Sequence, residues 1–281
     1  MTSFIAKEKK AYHAALLTSI LRSDSKNIPT IADKGSDISV RAARGLLRIL
    51  GEPPRGARSA GQRAGSQFES LTADFVKKTF LRLAHLRPGK WQVTCGSGAI
   101  ADFAQFRHLI ALSDAISKNP ELEAALGREY TIRPDITISR SPEPDEEINK
   151  KVSLVDKTTA RLSFLREENN GTPILHASIS CKWTIRSDRA QNSRSEALNL
   201  IRNRKSTVPH IAVVTAEPLP TRIVSIALGT GDIDCTYHFA LPELRAALEE
   251  ARLAEQLDLL DTMVLGNRLR DISDLPLDLA I

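Results

Sequence analysis

The sequence predicts an α/β fold, and three observations carry that prediction. Segments with apolar residues every three or four positions alternate along the chain with short runs whose character changes every second residue. The run over 174–185 keeps the two-residue period over its length, and an unbroken apolar run follows at 210–216. Composition agrees, since 42% hydrophobic and 26% charged residues is an ordinary globular balance. At 281 residues the chain makes one large unit or two small ones, and either can bury a real core.

Each element has a local reason. Tyr12, Leu16 and Ile20, with Leu17 and Leu21 beside them, give a helix over about 7–22. A polar loop covers 23–37. RAARGLLRILG reads as a second helix stopped by Gly51, and Pro53-Pro54 forbids its continuation because proline has no amide hydrogen to give. The following PPRGARSAGQRAG holds three arginines and no acid, which suits either a surface loop or close approach to a phosphate backbone. Ser66 opens a helix with Leu71, Phe75, Val76, Phe80 and Leu83 facing inward, and Ser66 and Glu69 have the spacing of a capping box.

After the Pro88-Gly89 turn, 91–95 reads as a strand, 99–118 as one helix and 132–139 as a strand, followed by the acidic loop SPEPDEEINKK. Within 174–185, Leu175, Ala177, Ile179, Cys181 and Trp183 point one way, and His176, Ser178, Ser180 and Lys182 the other. Ser187 or Asp188 can cap a helix that runs to about 203. The runs 210–216 and 235–240 read as strands, and the last forty residues as a leucine-rich helix with a tail. Cys235 and His238 have half the spacing of a zinc site, but no second half accompanies them, so an ordinary strand is the simpler reading.

Several classes are excluded at once. No run approaches the roughly 18–20 apolar residues that a membrane span needs. The N-terminus lacks a cleavable signal pattern, and three widely spaced cysteines without a CxxC suit reduced thiols. A cytoplasmic protein is expected. Net charge is +5, but its distribution says more: ten basic against three acidic residues over 41–87, seven against two over 182–205, and four against nine from 241 onward. Such asymmetry suits one face that follows a polyanion, although charged runs are also ordinary solvated faces.

The chemistry-bearing residues are Pro134-Asp135 and, 47 positions later, Ser180-Cys181-Lys182 on the polar side of a strand. An aspartate can hold Mg²⁺ against a scissile phosphate through hard oxygen, the carbonyl of Cys181 is a natural further ligand, and a lysine can orient the attacking water and offset developing charge. Taken alone, this spacing is weak evidence. Directly afterwards stands Arg186-Ser187-Asp188-Arg189 at a helix start. Arginine is the commonest partner of guanine O6 and N7, and aspartate can accept from cytosine N4. The same trio could instead be a surface ion-pair cluster worth roughly 0–1 kcal/mol.

With these residues in view, the chain resembles the NgoMIV-type branch of the restriction endonucleases, within the PD-(D/E)xK nuclease superfamily. HASISCKWTIRSDRAQNSRSEALNLIRNRK carries most of the likeness, supported by PHIAVVTAEP, IALGTGDIDCTYHFAL and DISDLPLDLA. It runs through essentially the whole chain, more loosely in the first 60 residues and over 141–172. The resemblance implies a restriction-endonuclease-like central mixed β-sheet flanked by helices. It also implies one domain over 1–281, with a helical part of about 1–87 packed on a catalytic core of about 88–281.

For the site, the resemblance implies that Ser180 replaces the usual acidic residue two positions before the lysine, with Glu196 on the following helix taking over and Glu69 completing the set. It further implies a two-metal Mg²⁺ site. Arg186, Asp188 and Arg189 would read a CCGG core, Gln62 the minor groove, and Arg222 with the 33–36 loop (Asp33, Ser36) the outer pair. Lys34 fits the family pattern of that loop poorly. The implied activity is Mg²⁺-dependent hydrolysis of both strands of double-stranded DNA at G/CCGGC with 5′ overhangs, by a homotetramer of two dimers without a nucleotide cofactor. Two rivals stand beside it: a repair or structure-selective nuclease, and a DNA-binding regulator without catalysis.

Overall fold

The computed structural model describes residues 2–54, 61–96, 98–126, 132–229 and 231–281; the side chains of 187–190 lie outside the described set. The loop arginine Arg55 also lies outside the described residues.

Three helices come first: α1 (Phe4–Ser19), α2 (Asp37–Leu50) and α3 (Gly61–Phe80). Ser3 and Ser36 cap α1 and α2, their hydroxyls accepting from the amides of Ala6 and Ser39. Helix α3 starts five residues before Ser66, which therefore lies exposed inside the helix. The expected capping box with Glu69 does not form, which leaves Glu69 without that structural duty.

Among the described residues six strands form one sheet in the order β1 (Trp91–Cys95), β2 (Ile136–Arg140), β3 (Ile174–Lys182), β4 (His210–Thr215), β5 (Cys235–His238), β6 (Leu269–Asp271). The first three are antiparallel and the last four, from β3 on, parallel. Parallel neighbours need long crossovers, which the helices supply. Helices α4 (His108–Ser117), α5 (Pro120–Leu126) and α6 (Asp145–Ile148) lie between β1 and β3, and α7 (Ser187–Asn203) joins β3 to β4. Then α8 (Pro220–Ala227) joins β4 to β5, α9 (Leu241–Glu250) and α10 (Ala254–Leu265) join β5 to β6, and α11 (Leu275–Asp278) ends the chain. The core lies around the sheet, with Phe68, Phe106, Phe239, Ile136 and Ile138 among its fully buried side chains; burying such a side chain contributes about 1.5–3 kcal/mol. Among the described residues no helix is long and apolar enough to cross a membrane.

Five expectations need correction. The predicted helix over 99–118 begins instead as two 3₁₀ turns, Ile100–Asp102 and Ala104–Phe106. Their purpose is visible at Gln105, fully buried, whose amide donates to the Leu175 carbonyl (2.7 Å) and accepts from the Leu175 amide (2.9 Å). The β2–β3 register shifts there, so Ile138 pairs with Ala177 and Ser139 with Leu175 while His176 has no partner on β2. That bulge breaks the predicted alternation, and the His176 ring packs on Phe80 and Trp91.

The polar side of β3 is covered as well, for His176 is 9% and Ser178 6% exposed. The acidic segment contains α6, tied down by the Arg166 guanidinium to Asp145 (2.9 Å). Finally, the C-terminal forty residues are three helices with β6 among them, a strand of three residues and too short for its period to register.

Candidate functional site

The site begins where β2 and β3 part. Their last ladder pair is Ile136 with Ile179, and just before β2 stand Asp135 and Pro134, the latter with no amide hydrogen. The Asp135 side chain fills the place of the missing ladder partner: the Cys181 amide donates to Oδ2 at 2.7 Å and the Ser180 hydroxyl at 3.4 Å. Lys182 Nζ stands 3.7 Å from the same oxygen. The carbonyl of Lys182 accepts from Thr215 Oγ1 (2.8 Å) and the Ala216 amide (3.3 Å), which fixes the strand end. Asp135, Ser180, Cys181 and Lys182 are thus brought together by adjacent strands, with a lysine and aspartate only 15% and 24% exposed.

Two carboxyls approach from helices. On α3, Phe68 packs against Trp183 with ring centroids 5.3 Å apart, and Thr72 shares a 2.9 Å hydrogen bond with Tyr12 of α1. These contacts set the rotation of α3 and turn Glu69 toward the strand end. Burial pushes the Glu69 carboxyl up, the Asp135 carboxylate adds to the shift, and Lys182 opposes it. On α7, Ser193, Ala197 and Leu200 face the core and leave Glu196 half-buried. Its carboxyl is also pushed up by burial, with Lys182 opposing and Asp135 reinforcing.

Asp135 pairs with the Lys182 ammonium, and the carboxyls of Glu69 and Glu196 lie within reach of both charges, an acidic surrounding that a divalent cation would stabilise in its ionised form. The side chains that converge here are carboxyls and so offer oxygen; burial, with Asp135 and Glu69 nearby, pushes the Cys181 thiol well up, and Cys95 is raised for the same reasons. Hard oxygens of this kind fit a hard cation. Among the described residues no three His, Cys, Asp or Glu side chains stand close enough to hold a metal ion by themselves.

A second cluster lies beyond the end of β3. Asp33, Lys34, Thr184, Arg186 and Arg222 line a pocket of about 180 Å³. Arg222 makes an ion pair with Asp33, whose carboxyl is held low by the Gly35 amide, by Arg222 and by the charge of Arg186. Lys34 turns aside and pairs with Asp24 at 2.7 Å. Arg186 is exposed at the N-cap of α7, Gln62 is exposed in the first turn of α3, and Ser36 caps α2. Asp188 and Arg189 belong to the first turn of α7, with side chains outside the described residues.

Sequence reasoning missed Glu217. It is fully buried, accepts from the amides of Ile185 (2.8 Å) and Leu219 (3.2 Å), and lies 4.0 Å from Arg222. The available signal was a lone charge directly after the apolar strand, in Ala216-Glu217-Pro218.

The NgoMIV restriction enzyme family matches residues 12–281. The type II restriction enzyme NgoMIV of Neisseria gonorrhoeae is 50% identical over 286 residues, covering 100% of both chains. Among solved structures, the type IIF restriction endonuclease Bse634I with cognate DNA is similar at a TM-score of 0.37 and 12% identity, over 75% of this chain and 80% of that one. That last likeness is too distant to transfer any residue.

Proposed function

The chain belongs to the NgoMIV restriction enzyme family and is a type II restriction endonuclease; from that premise we propose that it cuts both strands of double-stranded DNA at G/CCGGC, leaving 5′ overhangs. The observation that carries the reading is the convergence of the Cys181 amide, Ser180 and Lys182 on one oxygen of Asp135.

Asp135 and the Cys181 carbonyl would hold Mg²⁺, with Glu69 and Glu196 supporting a second ion. When bound, the ion supplies Lewis-acid stabilisation of charge on the phosphate. Lys182 orients the attacking water and offsets charge on the non-bridging oxygens. Ser180 holds the Asp135 carboxylate in place, and the Thr215 hydroxyl keeps the backbone of Lys182 from drifting.

Recognition falls to the second cluster. Arg186, Asp188 and Arg189 read the CCGG core, Arg222 with Asp33 and Ser36 the outer pair, and Gln62 the minor groove. A palindromic site suits a two-fold assembly, here two dimers forming a homotetramer that works in the cytoplasm.

Purified protein incubated with a sequenced plasmid and Mg²⁺ tests the reading. Discrete fragments whose ends map to G/CCGGC are expected. A smear would favour a nuclease without sequence preference, and uncut plasmid with a retained gel shift a non-catalytic DNA binder.

A further inference from the structure

We propose that Glu217 is a positioning residue for base recognition, its buried carboxylate tying the turn that carries Arg186 to the turn that carries Arg222. The inference rests on the reading that these two arginines face the bases.

The geometry is specific. One oxygen, Oε2, accepts from the amide of Ile185, the residue before Arg186, at 2.8 Å and lies 4.0 Å from Nη1 of Arg222. The other accepts from the amide of Leu219, the N-cap of α8, at 3.2 Å. The second nitrogen of the guanidinium, Nη2, is paired with Asp33. One carboxylate therefore fixes two backbone turns and one face of a guanidinium, and the loop before α2 is held through that same arginine.

The anchor is itself fixed, because the Glu217 amide donates to Thr215 Oγ1 at 3.1 Å, and that hydroxyl donates to the Lys182 carbonyl at 2.8 Å. A fully buried carboxylate is costly unless its partners need it. Here two amides and an arginine that is itself 31% exposed meet at it.

Charge supports the same role. Burial pushes the Glu217 carboxyl up to about 7, against the pull of the Ile185 amide and Arg222, with Asp33 raising it further. The groups that face it are Arg222 from α8, Asp33 from the loop before α2, with Arg186 and Lys34 lining the same pocket, and His238 of β5 against the Glu217 backbone. Burial holds His238 down to about 4, so it stays neutral where Glu217 titrates. The ionised carboxylate holds Arg222, and the protonated one releases it.

Binding of a GCCGGC duplex and of the same duplex with altered outer pairs, measured without divalent cation from pH 6 to 8.5, tests the proposal. Wild-type discrimination should rise about tenfold as pH passes through 7. In Glu217→Gln, which keeps the volume and an acceptor, discrimination should stay low and flat while affinity for unrelated DNA is unchanged. In Arg222→Ala the pH step should disappear.

A flat wild-type profile overturns the proposal without recourse to any variant. So does a Glu217→Gln variant with wild-type discrimination at pH 8, or one that loses affinity for all DNA alike. If Arg222→Ala discriminates as well as wild type, the recognition reading itself fails. If Arg222→Ala loses discrimination and Glu217→Gln does not, only the role of Glu217 falls.

Discussion

The two clusters are built in opposite ways. Ser180, Cys181 and Lys182 sit on β3 and Asp135 directly before its neighbour β2, and hydrogen bonds from strand backbone or neighbouring strand side chains fix them. The pocket proposed for recognition draws on three separated stretches, the loop before α2, the turn after β3 and the start of α8, joined by the Arg222–Asp33 ion pair and by the Glu217 carboxylate, which accepts from two backbone amides. Phosphate chemistry gains from a rigid frame that places a few atoms within tenths of an ångström. In the reading proposed above, Arg222 would exchange Asp33, paired to Nη2, for a base edge while Glu217 stays against Nη1.

The largest effect should break the chemical half alone. Asp135→Asn keeps an acceptor for the Cys181 amide, and Lys182→Ala leaves the strand intact, yet each should lower cleavage by on the order of 10²–10⁴-fold with cognate binding largely kept. Wild-type cleavage by either variant, read on plasmid substrate, would remove that residue from the chemistry.

Next comes acid stability, where the sheet and the pocket should differ in sign. Burial, the largest cause for each, holds His176 and His238 down to about 4. Their folded values are depressed below the ordinary 6.5, so the stability they confer is complete above pH 6.5 and is lost as pH falls toward 4, by roughly 3 kcal/mol for each. Glu217 is raised instead, so its ionisation costs stability as pH rises from about 4.5 through 7. Urea unfolding across this range should show a wild-type midpoint that falls below pH 6.5. Glu217→Gln should gain on wild type as pH rises, and a constant difference between the two would contradict the assignment.

A smaller effect separates reading from holding. Arg186→Ala should cost about 1–3 kcal/mol at one G·C pair, seen as relaxed preference in a panel of single-substituted duplexes. Equal loss on every duplex would make Arg186 a phosphate contact. Smallest is Lys34→Ala, expected to shift binding by less than about 1 kcal/mol because its ammonium is tied to Asp24 on the surface. A tenfold loss of discrimination in that variant would return Lys34 to the reading surface.

Much of this was legible in the chain. The alternation of helix and strand gave the α/β class, and the Pro134-Asp135 and Ser180-Cys181-Lys182 strings are groups that the folded sheet does bring within hydrogen-bond reach. Spacing along a strand fixes which side chains share a face, so local sequence placed Ser180 and Lys182 on one side of β3, whereas their meeting with Asp135 depended on the pairing of β2 with β3. The misreadings differ in source, one in where a helix begins and one in long-range contact. Ser66 looked like a helix cap until α3 extended past it, and His176 looked like part of a regular alternation until the bulge and Gln105 intervened.

By itself, then, the chain determined the alternation of helix and strand, the charge asymmetry and the face of β3 that carries Ser180 and Lys182. Tertiary structure alone decided that Glu217 would be sealed beneath two arginine-bearing turns, that Lys34 would turn to Asp24, and that three residues near the C-terminus would become β6. The reason is physical. Periodicity records what each residue meets one turn or two positions away, whereas burial and ion pairing depend on segments tens to hundreds of residues apart, whose approach no local pattern encodes.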